Sequence, residues 1–353
     1  MQNRLSVAVI GVGHLGKEHA RILGSMPDVE LVGVVDPNHV QADAVAARTG
    51  TMAYSSARPL IGRIQAAVIA TPTAYHHDSA CELLANGISL LVEKPLTSNV
   101  AQGIDLVSLA EKHDAILQVG HIERFNPAYE ELRRRPLIPQ YIRCERHGGF
   151  TGRSMDVGVV FDVMIHDLDL ILDLVGRPVD RVEAMGAAVL GGNEDMAQAR
   201  VYFEGGCIAD LTACRVSPEP ARSMRVWGGE GYASVDFATR KVTLMQPSEL
   251  LRSGRIDSRR LTPDVIGLLK AELFGRFVET FTVDCSGHHS ADQLTRELYD
   301  FVSSVREKRQ PRVTGRAGLA ALTLASQIVQ TIHKTDLQST GQLFPSRSAS
   351  EAA

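Results

Sequence analysis

Near its start the chain runs from an apolar stretch, Ser6-Val-Ala-Val-Ile10, straight into Gly11-Val-Gly13-His14-Leu15-Gly16 and then into a helical pattern. No other feature narrows the fold as much. Glycines at this spacing are a weak signal alone, but a strand before them and a helix after them make a strand–turn–helix joint. Gly11 permits the tight turn, Gly13 lets a ligand approach the backbone, and Gly16 lets helix and strand pack closely. Free N–H groups at the helix start, beside His14 and Leu15, form a ready seat for a pyrophosphate. Asp36 closes the next apolar run. A carboxylate there accepts hydrogen bonds from ribose hydroxyls and repels a 2′-phosphate. Pro37 and Asn38 follow, with no arginine to receive such a phosphate. The pattern predicts a pyridine-dinucleotide site, with NAD rather than NADP as its occupant.

The apolar runs at 6–11, 31–36, 67–70, 90–93 and 116–119 are continuous. Runs of that kind mark parallel strands covered on both faces. Helical patterns near 15–24, 39–48, 75–86 and 99–113 fill most gaps, so residues 1–122 read as a doubly wound α/β Rossmann domain. The rhythm then changes. A helix near 126–134, a strand near 141–147 and a second helix precede a run of short strands with turn signals between 180 and 246. Helices return near 291–308 and 316–335. Residues 123–337 are therefore expected to form an α/β domain with an open, mainly antiparallel sheet. The small, polar tail 338–353 is expected to be disordered.

Composition excludes several classes. A net charge of −4 gives no electrostatic reason to bind nucleic acid or an anionic membrane. No apolar run approaches the ~20 residues that a bilayer span needs. The first strand begins at once, leaving no room for a secretory signal, so a cytoplasmic protein is expected. The 5 cysteines are scattered and contain no CxxC pair. That favours reduced thiols over disulfides or zinc. An open sheet face needs covering, which predicts a homodimer or homotetramer.

Two further segments carry candidate chemistry. Glu93-Lys94-Pro95 ends an apolar strand, where open α/β sheets place their ligands. Thr71, Pro72 and His76 follow the preceding strand in the same way and are candidates for the nicotinamide end of the cofactor. Later, Asp162, His166, Asp169 and Asp173 fall at i, i+4, i+7 and i+11, one stripe of a helix beside an apolar stripe of Phe161, Ile165, Leu168 and Leu172. Asp162, His166 and Asp169 have the right chemistry for a metal. Hydride transfer to a nicotinamide needs none, and no metal is expected. Asp167 reads as a surface or capping residue.

The glycine turn, the later Glu-Lys-Pro and the Asp-x-x-x-His helix, in this order, resemble the Gfo/Idh/MocA oxidoreductases from about Val7 to Ile332. The resemblance implies a Rossmann domain followed by an α/β domain with an open antiparallel sheet. It also implies His166 as the proton acceptor from a substrate hydroxyl, Asp162 as its support, and Lys94 as a donor to the reacting oxygen. Val119-Gly-His-Ile-Glu-Arg-Phe-Asn-Pro127 and the segment from Arg146 to Gly158 resemble one branch of that family. Its members oxidise C3 of UDP-N-acetylglucosamine to a ketone, which an aminotransferase converts to a 3-amino sugar used, for example, in lipid A. Gly152 and Met155 depart from the branch pattern. On this reading Arg124, Arg146 and Arg153 are candidate diphosphate partners, and Asn126 a candidate partner of sugar hydroxyls or an acetamido group. The bland reading of each arginine is a solvated surface charge. Two other readings remain: a dehydrogenase of other sugars or inositols, and a non-catalytic NAD-sensing regulator on the same fold.

Overall fold

A computed structural model describes residues 4–150, 157–190, 192–254, 262–264, 275, 277–287 and 291–343. The continuous apolar runs become a parallel sheet of β1 (Leu5–Ile10), β2 (Val29–Val35), β3 (Met52–Tyr54), β4 (Ala66–Ile69), β5 (Ser89–Glu93) and β6 (Leu117–Gly120). Their order is β3-β2-β1-β4-β5-β6, and every pairing is parallel. The strand β3 was not anticipated, because three residues on a sheet edge leave almost no periodic signal. Helices α1 (Gly16–Ser25), α2 (His39–Thr49), α3 (His76–Ala85) and α4 (Val100–Lys112) cover the sheet. Asn38 and Asn99 start α2 and α4 by accepting from the N–H groups of Gln41 and Gln102. Each thereby satisfies a donor that the helix cannot pair internally. The strand order reverses between β1 and β4, the crevice where doubly wound sheets bind ligands.

Helix α5 (Pro127–Arg133) leads to the second sheet. This sheet comprises β7 (Tyr141–His147), β8 (Val179–Ala187), β9 (Met196–Phe203), β10 (Ile208–Cys214), β11 (Ala221–Gly228), β12 (Gly231–Asp236), β13 (Lys241–Pro247) and β14 (Val278–Asp284). In space they run β14-β13-β12-β11-β7-β10-β9-β8, antiparallel except for β10 beside β7. Helix α6 (Ile165–Val175) lies on one face, and its Leu168 and Ile171 join the core that Ile142, Val201 and Leu211 offer from the strands. Alternate residues of β9 and β10 face the other way and stay partly or fully exposed, the half-open sheet the alternation predicts.

The C-terminal helices depart from the expected boundaries. Leu298, Phe301 and Val302 of α7 (Gln293–Glu307) are buried with Leu5, Val7 and Leu91 of the first sheet, not in the second domain. Helix α8 (Gly315–Leu343) joins both cores. Its Leu322 packs with Leu106 and Val119, while Leu324, Ala325 and Ile328 pack with the second sheet. The division at 122/123 therefore does not separate two independent cores. Helix α8 also continues through Gln338–Leu343, part of the expected tail; residues 344–353 lie outside the described residues. No described helix is long and apolar enough to cross a membrane.

Candidate active site

The turn after β1 and the ends of β2 and β4 open into a cavity of about 810 Å³, bordered by Gly11, Gly13, His14, Asp36, Thr71 and Pro72. Gly11 sits at φ +83°, and a Cβ there would lie 2.7 Å from Thr71 N. A Cβ on Gly16 would lie 1.9 Å from Gly11 O, whereas one on Gly13 would meet nothing within 4 Å. Two glycines are thus demanded by packing, and the third keeps a backbone surface bare for a ligand. Asp36 Oδ2 accepts from Val12 N at 3.0 Å and Oδ1 from Asn38 N at 2.9 Å. The carboxylate is held at the cavity edge with lone pairs left for ribose hydroxyls. Thr71 Oγ1 is buried without a partner among the described residues. A bare cradle, an oriented carboxylate and an orphan hydroxyl fit a dinucleotide.

A second cavity of about 330 Å³ shares Ala70, Thr71 and Pro72 with the first. Leu15, Thr71, Pro72, His76, Glu93 and Lys94 face Val157, Phe161 and Asp162 of the second domain across it. Lys94 Nζ donates to the Asp162 carbonyl at 2.5 Å and to its Oδ1 at 3.3 Å, joining the domains across the cleft. Behind it, His19 Nε2 lies 2.7 Å from Glu93 Oε1, and the Lys94 N–H donates to Glu93 Oε2. Burial alone would raise the Glu93 pKa, but His19 and Lys94 outweigh it and hold the group below its usual range. His76 is buried, with Nδ1 3.0 Å from Pro95 O and Nε2 2.8 Å from Thr71 O. It clasps two loops of the cleft, so its polar atoms face backbone.

The helical stripe does not survive intact. Residues Val160–Met164 form a π turn, in which the Ile165 N–H reaches back five residues to Val160 O. The wider turn shifts the phase between Asp162 and His166, and no hydrogen bond joins them. Asp162 serves Lys94 instead, and the expected Asp162 support of the imidazole is not formed. His166 is half-buried, lies outside the lining of the second cavity, and has an Nδ1 without a partner among the described residues. Burial, followed by the charges of Lys94, Arg146, His121 and Arg222, pushes its pKa well below the ordinary histidine value. The imidazole is neutral at neutral pH.

The arginines and Asn126 overturn their expected roles. Arg124 Nε and Nη2 donate to Asp169 at 2.6 and 2.9 Å, and its Nη1 lies 2.5 Å from Asp173. Arg146 grips Asp167 at 3.0 and 2.7 Å and Glu123 at 2.9 Å. Both guanidiniums are about nine-tenths or more buried and spend their donors on this chain's own carboxylates, so neither is free for a diphosphate. Asp167 is a buried counterion, not a surface or capping residue, and Asp169 is another. Asn126 is 1% exposed, caps α5 through Ala128 N, and donates to Glu123 and to Phe237 O, which consumes it structurally. Arg153 lies outside the described residues.

The sequence reading missed three groups. His121, at the end of β6, is 1% exposed and neither ring nitrogen has a partner among the described residues. Burial lowers its pKa, and it lies within electrostatic reach of Lys94, Glu93 and His166. Glu297 on α7 is wholly buried with both carboxyl oxygens unpartnered among the described residues, and burial together with Glu93 raises its pKa well above the usual range. Arg222 stands beside Arg146 on the neighbouring strand, exposed, and its guanidinium makes no hydrogen bond or ion pair to the described residues. Its charge is felt at His166. A lone arginine in a β run carries no motif, so only the strand register could reveal it.

Two family models match the chain: the NAD-binding Rossmann fold of an oxidoreductase family over residues 5–121 and the GFO/IDH/MocA C-terminal domain over residues 124–234. The UDP-N-acetylglucosamine 3-dehydrogenase of Acidithiobacillus ferrooxidans is 35% identical over 326 residues, spanning 92% of this chain and 96% of that protein. The scyllo-inositol 2-dehydrogenase (NAD(+)) of Bacillus subtilis is 30% identical, spanning 62% of this chain and 69% of that one. A solved structure of the Acidithiobacillus enzyme superposes with a TM-score of 0.81 at 32% identity, covering 94% of this chain and 98% of that one. Levoglucosan dehydrogenase in complex with NADH superposes at 0.78 and 18% identity over 94% and 97% of the chains, a likeness of fold.

Proposed function

The chain belongs to the Gfo/Idh/MocA family of NAD-binding oxidoreductases, and on that premise we propose that it oxidises the C3 hydroxyl of UDP-N-acetylglucosamine to the 3-keto sugar. The observation that carries this reading is the wall that the two cavities share. Ala70, Thr71 and Pro72 line both the dinucleotide cradle and the cavity of Lys94 and Asp162, so a substrate carbon in the latter would lie at the nicotinamide end. Bound NAD supplies the hydride acceptor. Lys94, anchored by the Asp162 carbonyl, donates a hydrogen bond to the reacting oxygen as it gains negative character. His166, kept neutral by burial and nearby cations, accepts the hydroxyl proton. His121, buried with both ring nitrogens unpartnered among the described residues, is proposed to support that transfer from behind.

With Arg124 and Arg146 committed elsewhere, the substrate diphosphate is assigned to Arg222, an exposed fork on the site's side of the second sheet. The identity with the Acidithiobacillus enzyme over nearly the whole chain supports this substrate. A second reading, a dehydrogenase of free sugars or inositols, is favoured by the occupied arginines and the inositol-dehydrogenase relative. The exposed face of the second sheet supports assembly into a homodimer or homotetramer.

Incubation with NAD and a panel of UDP-N-acetylglucosamine, UDP-glucose, free N-acetylglucosamine and myo-inositol, followed by NADH absorbance, separates these readings. Turnover confined to the UDP-sugars, with a product lighter by two hydrogens and convertible to a 3-amino sugar, is the expected result. Equal oxidation of the free sugars would sink the nucleotide-sugar reading.

A further inference from the structure

On the outer side of the first domain, α3 and α4 bring together a group that the dehydrogenase chemistry does not use. His77 and Cys81 stand one turn apart on α3, and Asp105 reaches them from α4. His77 Nε2 lies 2.8 Å from Asp105 Oδ2, Cys81 Sγ lies 3.4 Å from His77 Nε2, and Cys81 Sγ lies 3.8 Å from Asp105 Oδ2. One nitrogen, one sulfur and one oxygen thus converge within 4.8 Å of one another. Zinc bonds of about 2.3 Å to sulfur and about 2.0–2.2 Å to nitrogen and oxygen give tetrahedral ligand-to-ligand edges of roughly 3.3–3.6 Å. The three observed edges straddle that range, so adjustments of about half an ångström or less would bring them into it.

A second feature points the same way. The other ring nitrogen of His77, Nδ1, lies 3.2 Å from Asp78 Oδ1. A ligating histidine typically donates its remaining N–H to a carboxylate, which fixes the ring and its tautomer. We propose that His77, Cys81 and Asp105 form a binding site for a zinc-class divalent cation, with Asp78 orienting the histidine and a coordination position left toward solvent. The mixed N, S and O donors suit zinc or cobalt and not magnesium or calcium, which take oxygen ligands. A Cys-His-Asp nucleophile is the competing use of these residues. Burial and the Asp105 and Asp78 carboxylates push the Cys81 thiol up to about 11, the opposite of an activated thiolate.

The absence of a CxxC pair hid this site, because its ligands come from two helices and only two of them are close in sequence. Its position has a consequence for the cofactor. His76, next to His77, clasps the loops of Thr71 and Pro95, while Asp78, Ser79 and Glu82 border the large cavity. A cation bridging α3 to α4 would brace one wall of the dinucleotide site.

The test is a cobalt(II) titration of the full-length, chelator-treated protein, read by visible absorption and by thermal melting. The expected result is one cobalt per chain with tetrahedral absorption and a thiolate-to-cobalt charge-transfer band, both abolished by added zinc. Cys81→Ser should lose the band, and Asp105→Asn should weaken binding at least ~10-fold, the cost of losing even an outer partner. Zinc should raise the melting temperature of the native chain but not of Cys81→Ser, and magnesium should raise neither. Cys81→Ser should match the metal-free native chain in melting temperature and NAD binding, which shows that it folds. Octahedral absorption without the band, or equal cobalt affinity in the native chain and Cys81→Ser, would overturn the proposal.

Discussion

The two halves of the cleft are built on different physical plans. On the cofactor side, recognition uses backbone: a glycine turn whose shape is fixed by contacts of Gly11 and Gly16, and one carboxylate, Asp36, held by two main-chain N–H groups. On the substrate side the work is done by side-chain charges drawn from elements far apart in sequence. Arg124 and Arg146 are locked to Asp169, Asp173, Asp167 and Glu123. The first plan can be read from contiguous residues. The second yields residues that resemble ligand-binding groups but hold the domain together. Charge in a cleft is evidence of binding only after its partners have been counted.

The sharpest break between structural and chemical charges is expected at His166. His166→Ala should lower turnover by about 10²–10⁴-fold while leaving the melting temperature and NAD titration unchanged. Lys94→Ala should do the same, since its anchor on Asp162 aims it at the cleft. Near-normal turnover in His166→Ala would return that helix to a structural role. Arg124→Ala should act in the opposite manner. Stranding the buried Asp169 carboxylate should cost about 3–5 kcal/mol in urea unfolding. Replacing Arg124 and Asp169 together with apolar residues should recover part of that loss. A stable Arg124→Ala with a raised KM would restore it as a substrate contact.

Smaller effects test the remaining assignments. Arg222→Ala should raise KM for UDP-N-acetylglucosamine by about 10- to 150-fold, the equivalent of ~1.5–3 kcal/mol for a charge-assisted contact, without changing stability. An unchanged KM would leave the diphosphate without a partner on this strand. Asp36→Ala should narrow the preference for NAD over NADP by weakening the former and relieving the repulsion of the latter. Comparable affinities already in the native protein would remove that role. The mildest prediction concerns pH. A general base must be unprotonated, and the His166 pKa is depressed by burial and by Lys94. The acidic limb of kcat/KM for oxidation should therefore lie below pH ~6.5, with activity lost only as pH falls through that lower value.

What the sequence revealed follows the same division. The glycine turn, Asp36, Lys94 and both sheets were legible because strand periodicity and turn chemistry are local. The relation between Asp162 and His166 was misread because one π turn changes the helical phase, and nothing in Val160–Met164 announces it. Arg124, Arg146 and Asn126 were misassigned because their partners lie on other elements. His121 and Arg222 were overlooked for the converse reason: their importance rests on what does not pair with them.

The late return of the chain to its first sheet has a consequence for its birth. The strands of the dinucleotide domain leave the ribosome before the second sheet, yet Leu298, Phe301 and Leu322, which close their core, are translated only after it. The nascent domain must therefore wait with an apolar flank uncovered through synthesis of the entire second sheet. Such a flank is a natural chaperone target and an aggregation hazard. Ribosome-bound chains arrested before Gln293 should remain protease-sensitive in their first 120 residues, whereas released full-length chains should not.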